Sequence, residues 1–529
     1  MTYKVVIPSA GIGSRIGSYT KYMNKALVTL GKKPAICHVI DKFPQDVEIV
    51  VLLGYLGSQL EEVLSAFYPD RRLQFVYVDK FDGPGSGLGY SLLKARHALQ
   101  TPFIFVPNDT VISEERIDID PSEFGNWAGY YKKVIGDGYD VNSYRTVNLA
   151  EKNTMVAGFN PKGVDCHDIY IGLTGVRDYN TFWDAMDSNT NSITAGEVIG
   201  LSMLDSIRAV KYVNWMDCGS LNALRKAKEF YKNRDANILE KEDEAIWFTE
   251  SSVIKFSANK NFISDRIKRL EFLPKSNFPR LDAAGDHFYK YDFVNGRVIS
   301  SWMTDDLSEK LFNTCYENLW RHKAKNSVQL KEKSSEFYRD KTINRIKHYF
   351  GRFEQTEEEI KINDCLTPTV EDLLERFDWN KYFEEKQYSR FHGDLHGENI
   401  IFNGEEFTFI DWRQNFGKGE YEFGDTYYDL GKLHHGFLVN HGIVDQELFR
   451  IKHQGNEIFF DIHRLHTLVN IERKFFDWCS KQGYLHEHIS VTTALIFLNI
   501  CGLHEWPYAK LLYLLGRTML HENISAYMK

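Results

Sequence analysis

Residues 391–433 read FHGDLHGENIIFNGEEFTFIDWRQNFGKGEYEFGDTYYDLGKL, the most specific stretch of the chain. Asp394 and Asn399 stand five residues apart at its start. The segment IIFNGEEFTFID that follows has the pattern of a β-hairpin whose turn is the Asn-Gly pair at 403–404. Because a hairpin returns the chain to where it began, we expect Asp411 to lie beside Asp394 and Asn399.

The spacing of Asp394 and Asn399 resembles the catalytic loop of kinases. In that loop the aspartate accepts the proton of the substrate hydroxyl, and the asparagine helps to hold magnesium. Asp411 then corresponds to the aspartate that binds the same metal. The sequence motif HGDxHxxN, followed by IDW and GDxxxDL, resembles that of the superfamily of aminoglycoside phosphotransferases and choline kinases. This resemblance covers residues 240–529 and implies phosphate transfer from ATP to a small hydroxyl compound.

The segments before this motif are expected to form a small sheet. SVIKF and HFYKYDFVNG read as strands, and the chain reads as largely helical from about Asp305 onward. We therefore expect an α+β two-lobed protein-kinase-like domain, with a sheet-rich lobe at about 240–304 and a helical lobe at about 305–529. The resemblance implies that Lys255 binds the ATP phosphates, with Glu271 as its acidic partner.

The first hundred residues alternate short apolar runs with longer amphipathic segments, from YKVVIPS to PFIFVPND. This βαβ rhythm predicts an α/β doubly wound, Rossmann-like sheet that binds ligands beyond the carboxyl ends of its strands. Apolar periodicity is lost in NRDANILEKEDE, which indicates a boundary near 233–243. We expect one domain at 1–235 and a second at 240–529.

A glycine-rich loop, SAGIGSRIGSYTKYMNKAL at 9–27, follows the first strand. Its bare amides can approach phosphate oxygens, whose charge Arg15 and Lys25 can neutralise. Ile16 replaces the third glycine of the dinucleotide fingerprint, and no P-loop motif is present. The loop therefore predicts a phosphate site of another kind, although glycines alone also make a simple tight turn.

The full pattern GxGSRx(9)KAL resembles the nucleotidyltransferases that make nucleoside-diphosphate sugars and CDP-alcohols. The resemblance covers about residues 1–232, but Ser9 and Asn24 replace an alanine and a proline that are usual in that family. It implies nucleotide binding by Gly11, Gly13, Gly85 and Ser86, catalytic roles for Arg15 and Lys25, magnesium binding by Asp109 and Asp217, and contact of Lys162 with the acceptor phosphate.

Together the two resemblances imply a bifunctional enzyme. The kinase half would phosphorylate a sugar or polyol with ATP and Mg²⁺, and the other half would couple the product to a second nucleoside triphosphate, with CTP or UTP favoured, for surface-glycan synthesis. The alternative acceptor is choline or another amino alcohol, for which an aromatic cage would be needed. Arg413 would repel such a cation. A further alternative is that one half is a non-catalytic binding module.

Composition narrows the class of protein and its expected location in the cell. Lys and Arg number 64 against 73 Asp and Glu, so the chain lacks the broad positive field of a nucleic-acid binder. The seven cysteines form no CxxC pair, which indicates a reducing cytoplasm. No segment reads as a membrane span, and the chain leaves homo-oligomerisation open. Aromatic residues make up 14% of the chain, which fits large cores or ring-stacking sites.

Overall fold

The computed structural model describes residues 3–113, 116–134, 136–164, 166–232 and 241–528. The chain forms two compact units, the first built from Met1–Lys260 and Leu281–Phe293, the second from Asn261–Arg280 and Val294–Lys529. Most of the expected boundary lies outside the described residues. The division into domains at 1–235 and 240–529 stays a prediction.

The first unit contains a nine-stranded sheet. Its spatial order is Leu73–Tyr77, Glu48–Leu53, Lys4–Pro8, Phe103–Phe105, Asp168–Val176, Trp127–Lys132, Arg208–Tyr212, Met155–Asn160 and Thr146–Ala150. The first four strands are parallel, as the βαβ rhythm predicts, and the fifth pairs antiparallel with the fourth. The helices of this unit are Ala35–Ile40, Gly57–Phe67, Leu88–Lys94, Pro121–Phe124, Tyr179–Ser188, Ser192–Ala195, Val198–Leu201 and Leu221–Phe230.

A second sheet of the first unit comes from the segment that we assigned to the kinase. Its four antiparallel strands lie in the order Glu244–Phe248, Ser252–Ser257, Phe288–Asp292 and Leu281–Ala284. Trp247 is fully buried in the same hydrophobic cluster as Ile49 and Val51 of the large sheet, and its indole donates a hydrogen bond to Thr29 Oγ1 at 2.9 Å. The small sheet therefore shares a core with the nucleotidyltransferase-like part.

The second unit is mainly helical. Its α-helices are Lys260–Leu270, whose first residue belongs to the first unit, and Asp305–Cys315, Val328–Ser334, Lys341–Phe353, Val370–Arg376, Trp379–Glu384, Thr426–Leu438, His441–Asp445, His466–Lys481, His486–Ile500 and Tyr508–Asn523. Helix His486–Ile500 is buried along nearly its whole length and packs against Lys341–Phe353, Thr426–Leu438, His466–Lys481 and Tyr508–Asn523. Within the described residues, no helix is both long and apolar enough to cross a membrane.

The expected hairpin near residue 400 is confirmed by antiparallel strands Ile400–Phe402 and Phe407–Phe409, with Arg297–Val298 at their edge. A pair of short strands, Tyr388–Arg390 and Phe423–Asp425, brackets it. Beyond this, the sequence predicted helices, but a further four-stranded sheet is present. Its strands are Cys365–Thr367, Ile360–Ile362, Glu457–Ile462 and Phe449–Gln454 in spatial order. Left-handed backbone at Asn363, Asp364 and Gly455 makes its tight turns.

Much of the aromatic content lies in buried clusters. In the first unit, Tyr131, Tyr139, Tyr144 and Trp215 form one group with ring centroids 4.9–6.0 Å apart. In the second, Tyr382 stacks on His488 at 4.4 Å and meets Tyr338 edge-on. Such offset and edge-to-face contacts stabilise large cores. All seven cysteines are free thiols.

Candidate active sites

The glycine-rich loop of the first unit is held by the two residues that depart from the family pattern. The Asn24 side chain caps the short turn at Lys25–Leu27 by accepting from Ala26 N, and donates to the carbonyls of Ser9 and Tyr55. The Ser9 hydroxyl accepts from Asn108 at 3.1 Å. These hydrogen bonds tie the loop to the ends of the neighbouring strands.

Three of the predicted residues converge at Gly219. A Cβ placed on Gly219 would lie 2.6 Å from Asp109 Oδ2, 2.9 Å from Asp217 Oδ1 and 3.3 Å from Arg15 Nη2. Lys25 Nζ forms an ion pair with Asp109, and the Gly219 amide donates to Asp217 at 2.9 Å. Only a residue without a side chain leaves this space open.

A short strand pairing brings the two aspartates together. Strands Thr110–Ile112 and Trp215–Asp217 pair antiparallel with Thr110 opposite Asp217, and Cys218 N donates to the Asp109 carbonyl at 2.9 Å. Asp109 directly precedes the first of these strands. The two carboxylates therefore meet although roughly 100 residues of chain separate them.

The two carboxylates differ in their electrostatic surroundings. Although burial opposes ionisation, Lys25 and Arg15 hold the pKa of Asp109 below its ordinary value. Burial, followed by the charge of Asp109, raises the pKa of Asp217. Partial burial, then Arg15 and Arg145, lowers the pKa of Lys162, while the two aspartates oppose this. These groups thus act on one another, as a site for phosphates and a cation requires.

The structure adds Tyr144 and Arg145 to this site. The Tyr144 hydroxyl donates to Asp217 Oδ2 at 2.8 Å, and its ring packs edge-on against Trp215 at 5.4 Å. Arg145 donates to the Ala195 carbonyl at 3.2 Å. Neither residue could be identified from the sequence, because no local motif surrounds them.

The remaining predicted nucleotide contacts lie in loops. Gly11 is exposed with open space around it, and Gly13 lies directly against the Lys25 side chain. Gly85 is exposed in a turn in which Ser86 donates to the Gly83 carbonyl at 2.7 Å. Their roles in nucleotide binding stay predictions.

In the second unit, the buried carboxylate of Asp429 fixes the backbone of the predicted catalytic loop. It accepts from the amides of His392 and Gly393, both at 2.7 Å, and from the Trp320 indole at 3.2 Å. Gly393 has φ 86°, and a Cβ there would collide with Arg413. Burial raises the pKa of Asp429 to about 6, against the effect of these donors.

Asp394 and Asn399 lie together on this loop. The Asn399 side-chain amide donates to the Asp394 carbonyl at 2.9 Å and to its Oδ2 at 3.3 Å. Lys432 Nζ, on helix Thr426–Leu438, forms an ion pair with Asp394 Oδ1 at 2.8 Å. Against the effect of burial, Lys432 and His396 hold the pKa of Asp394 well below its ordinary value. Asp394 is therefore an ionised carboxylate that can accept a proton.

Asp411 follows the hairpin directly and has a left-handed backbone at φ 58°, which is strained for a residue with a side chain. Arg266 on helix Lys260–Leu270 forms an ion pair with it. The Trp412 indole, fully buried, donates to the Arg266 carbonyl at 3.0 Å. Trp412 is thus a core residue that connects the segment after the hairpin to this helix.

The lysine predicted for ATP, Lys255, is buried on strand Ser252–Ser257 of the first unit, between Glu244–Phe248 and Phe288–Asp292. Glu271 is exposed just beyond helix Lys260–Leu270 of the second unit. His392, which is fully buried, accepts from Asp394 N and contacts the Ile410 carbonyl, and burial lowers its pKa to about 3. It is a neutral structural histidine.

The oxygen donors of both sites fit magnesium. This cation takes one or two carboxylates and completes its shell with substrate phosphates and water. In the first unit the donors would be Asp109 and Asp217, around the open space at Gly219, and in the second they would be Asn399 and Asp411. Within the described residues, no cluster of three or more His, Cys, Asp or Glu side chains could hold a metal alone.

Two family models match the chain. Residues 5–117 match the MobA-like NTP transferase domain, and residues 280–466 match the phosphotransferase enzyme family. The chain therefore carries an N-terminal nucleotidyltransferase domain and a C-terminal phosphotransferase domain, and both resemblances are confirmed. The first match includes Asp109 but not Asp217, and the second includes Asp394, Asn399 and Asp411.

Relatives among curated proteins cover parts of the chain. "Bifunctional protein GlmU" of Methanococcus vannielii is 26% identical over 154 residues, which is 28% of this chain and 34% of that protein. "Bifunctional IPC transferase and DIPP synthase" of Archaeoglobus fulgidus is 26% identical over 239 residues, 42% of this chain and 43% of that protein. The chain thus spans less than half the length of these relatives.

Among solved structures, a UDP-glucose pyrophosphorylase from Acinetobacter baumanii matches with 19% identity and a TM-score of 0.36. The match covers 44% of this chain and 93% of that one.

Proposed function

We propose that the chain is a bifunctional transferase. The phosphotransferase half moves the γ-phosphate of ATP to a small hydroxyl acceptor, and the nucleotidyltransferase half couples the resulting phosphate to a second nucleoside triphosphate, with release of pyrophosphate. The observation that carries the proposal is that each unit holds its own ionised aspartate with cations around it, Asp109 with Lys25 and Arg15, and Asp394 with Lys432. A silent binding module would not need two such sets.

In the nucleotidyltransferase reaction, a phosphate oxygen of the acceptor attacks the α-phosphorus of the nucleoside triphosphate. The bond between that phosphorus and the bridging oxygen breaks, and pyrophosphate leaves. Arg15 and Lys25 stabilise the charge that develops on the α-phosphoryl group and on pyrophosphate, and Lys162 binds the attacking phosphate. Magnesium held by Asp109 and Asp217 would reduce the repulsion between the two anions.

In the kinase reaction, the acceptor hydroxyl attacks the γ-phosphorus of ATP, and the bond to the bridging oxygen of ADP breaks. Asp394 accepts the hydroxyl proton, and Lys432 keeps the carboxylate ionised and oriented until then. Asn399 and Asp411 would hold the magnesium that shields the ATP phosphates. The binding of ATP phosphates by Lys255 stays a prediction from the sequence.

The acceptor that we favour is a sugar or polyol, and the second nucleotide is CTP or UTP. The product would be a nucleoside-diphosphate precursor for surface-glycan synthesis, made in the cytoplasm. Choline is disfavoured because Arg413, two residues after Asp411, would repel a quaternary ammonium.

A mass-spectrometric screen tests the proposal. The purified full chain is incubated with Mg²⁺, ATP, each of the four common nucleoside triphosphates, and a panel of sugars, polyols and amino alcohols. We expect ADP, pyrophosphate and one product that carries a nucleoside diphosphate. If choline with CTP gave more product than every sugar and polyol, the acceptor assignment would be wrong. If ADP formed without any nucleotide-linked product from synthetic phosphorylated acceptors, the bifunctional proposal would fail.

A further inference from the structure

Positively charged side chains lie near the predicted catalytic base, Asp394, in the second unit. Lys432, of which only 7% is exposed, pairs with Asp394 at 2.8 Å. Arg413 lies beside the catalytic loop, because a Cβ placed on Gly393 would lie 2.6 Å from the Arg413 Cβ. Its backbone N donates to the His392 carbonyl at 3.1 Å. The Asp394 carboxylate is thus paired with one cation, and a second basic residue lies along its loop.

Lys341, the first residue of helix Lys341–Phe353, joins this group through two shared rings. Lys341 Nζ lies 5.2 Å from the ring centroid of Phe337 and 5.9 Å from that of Tyr428. The guanidinium of Arg413 lies 4.5 Å and 5.9 Å from the same two centroids. The two cations therefore share the same two rings, and both contact ring faces rather than carboxylates.

The charges of this group are not balanced. Within the described part of the chain, neither Lys341 nor Arg413 has a carboxylate at ion-pair distance, and the Arg413 Nε donates to the neutral carbonyl of Asn415 at 3.0 Å. Burial, then Arg413, Lys432 and Arg345, holds the pKa of Lys341 well below its ordinary value, and Asp394 opposes them. Partly desolvated cations with one carboxylate among them favour an anion.

We propose that the acceptor whose hydroxyl proton Asp394 accepts carries an anionic group, a carboxylate or a phosphate, that binds Lys341 and Arg413. This inference rests on the proposed kinase reaction and narrows its substrate class from sugars and polyols to their acidic derivatives. The planar guanidinium of Arg413 can bind either anion through two hydrogen bonds, and Lys341 adds a point charge. A neutral acceptor would leave both cations without an anionic partner.

Matched acceptors test the charge requirement directly. ADP formation by the full chain is measured with glycerol, glycerate and glycerol 3-phosphate, and with glucose, gluconate and glucose 6-phosphate. We expect a KM at least tenfold lower for an acidic member than for its neutral parent, and the carboxylate and phosphate arms identify the anion. A neutral parent used as well as both of its acidic derivatives would overturn the inference, while Asp394-dependent ADP formation would still support the kinase.

Variants separate this site from the ATP site. Arg413→Met and Lys341→Met should each raise the KM of the acidic acceptor at least tenfold and change that of ATP less than twofold. Arg413→Lys should recover part of the loss, and Arg339→Met on a neighbouring exposed position serves as the matched control. A rise in the KM of ATP instead would assign the cations to the nucleotide phosphates and refute the inference.

A binding measurement gives a result even if none of these acceptors is turned over. Calorimetric titration of inorganic phosphate into the wild-type chain and into the doubly substituted Lys341→Met, Arg413→Met variant compares the same protein with and without the two cations. The nucleotidyltransferase half contributes equally to both. We expect the variant to lose one phosphate site, and equal binding by both proteins would contradict the inference.

Discussion

The two candidate sites are assembled in different ways. In the second unit, Asp394, Asn399 and Asp411 lie on one loop and the hairpin that follows it. In the first unit, Asp109 and Asp217 meet only because two short strands from distant parts of the chain pair. When the residues of a site lie on one continuous segment, their spacing can be read from the sequence. When they lie on distant segments, only the folded sheet brings them together.

The two sites should fail independently. We expect Asp394→Asn to reduce ADP formation by about 10²–10⁴-fold, because the proton acceptor is lost. The same variant should still convert a synthetic phosphorylated acceptor to the nucleotide-linked product. Asp217→Asn should abolish pyrophosphate release and leave ADP formation intact. Separate assays of ADP and pyrophosphate measure both outcomes.

Asp205→Asn, at an exposed position of the first unit, is the control for both variants. Loss of both activities in Asp394→Asn or in Asp217→Asn would indicate either misfolding or a single coupled site. Circular dichroism spectra of the three proteins distinguish these two explanations.

A substitution in the core that the two sheets of the first unit share should have the next largest effect. Trp247 belongs by sequence to the kinase half but is fully buried against residues of the nucleotidyltransferase sheet. Trp247→Ala should destabilise that sheet by about 3–5 kcal/mol. Hydrogen exchange of the amides in Lys4–Pro8 and Glu48–Leu53 reports the change.

Phe230→Ala, which removes a ring that is 66% exposed, should leave the exchange of these amides unchanged. If Trp247→Ala also left it unchanged, the small sheet would not stabilise the large one.

Glu197 gives the first unit a pH dependence. Burial raises its pKa to about 7, while Arg145 and Tyr170 oppose the shift. Between the ordinary value of 4.5 and about 7, the folded state binds the proton more tightly than the unfolded state, so stability falls as the pH rises through this window. The loss is on the order of 3 kcal/mol.

Glu197→Gln stays neutral and should therefore melt at a higher temperature than the wild type at pH 8, but at a similar temperature at pH 5. Melting curves at the two pH values measure this, with Glu229→Gln at an exposed position as control. An equal difference between Glu197→Gln and the wild type at both pH values would exclude titration of this carboxyl as the cause.

Tyr144 should give the smallest effect. Its hydroxyl donates to Asp217, and Tyr144→Phe removes this bond but keeps the ring against Trp215. We expect pyrophosphate release to fall about tenfold, with a weaker apparent affinity for Mg²⁺, because a partner that orients a metal ligand is lost. ADP formation should not change, and neither rate should change in Tyr77→Phe. A normal Mg²⁺ dependence in Tyr144→Phe would show that Asp217 needs no such support.

The sequence by itself predicted what is local. The βαβ rhythm gave the four parallel strands of the first unit, and the Asn-Gly turn gave the hairpin before Asp411. Regular periodicity and turn residues depend only on neighbours along the chain, so they can be read without a fold. The sheet around Glu457–Ile462 was missed, although its strand pair Phe449–Gln454 and Glu457–Ile462 is a local hairpin. Only the pairing of Ile360–Ile362 with Glu457–Ile462 joins distant segments.

Only the tertiary structure decided which distant groups meet. It joined the strands that hold Asp109 and Asp217, and packed the small sheet with Trp247 into the core of the first unit. It also set Lys341 and Arg413 over the same two rings beside the catalytic loop. Burial, the pairing of distant strands and the clustering of charges arise between residues far apart in sequence. They cannot be predicted from the spacing of residues along the chain.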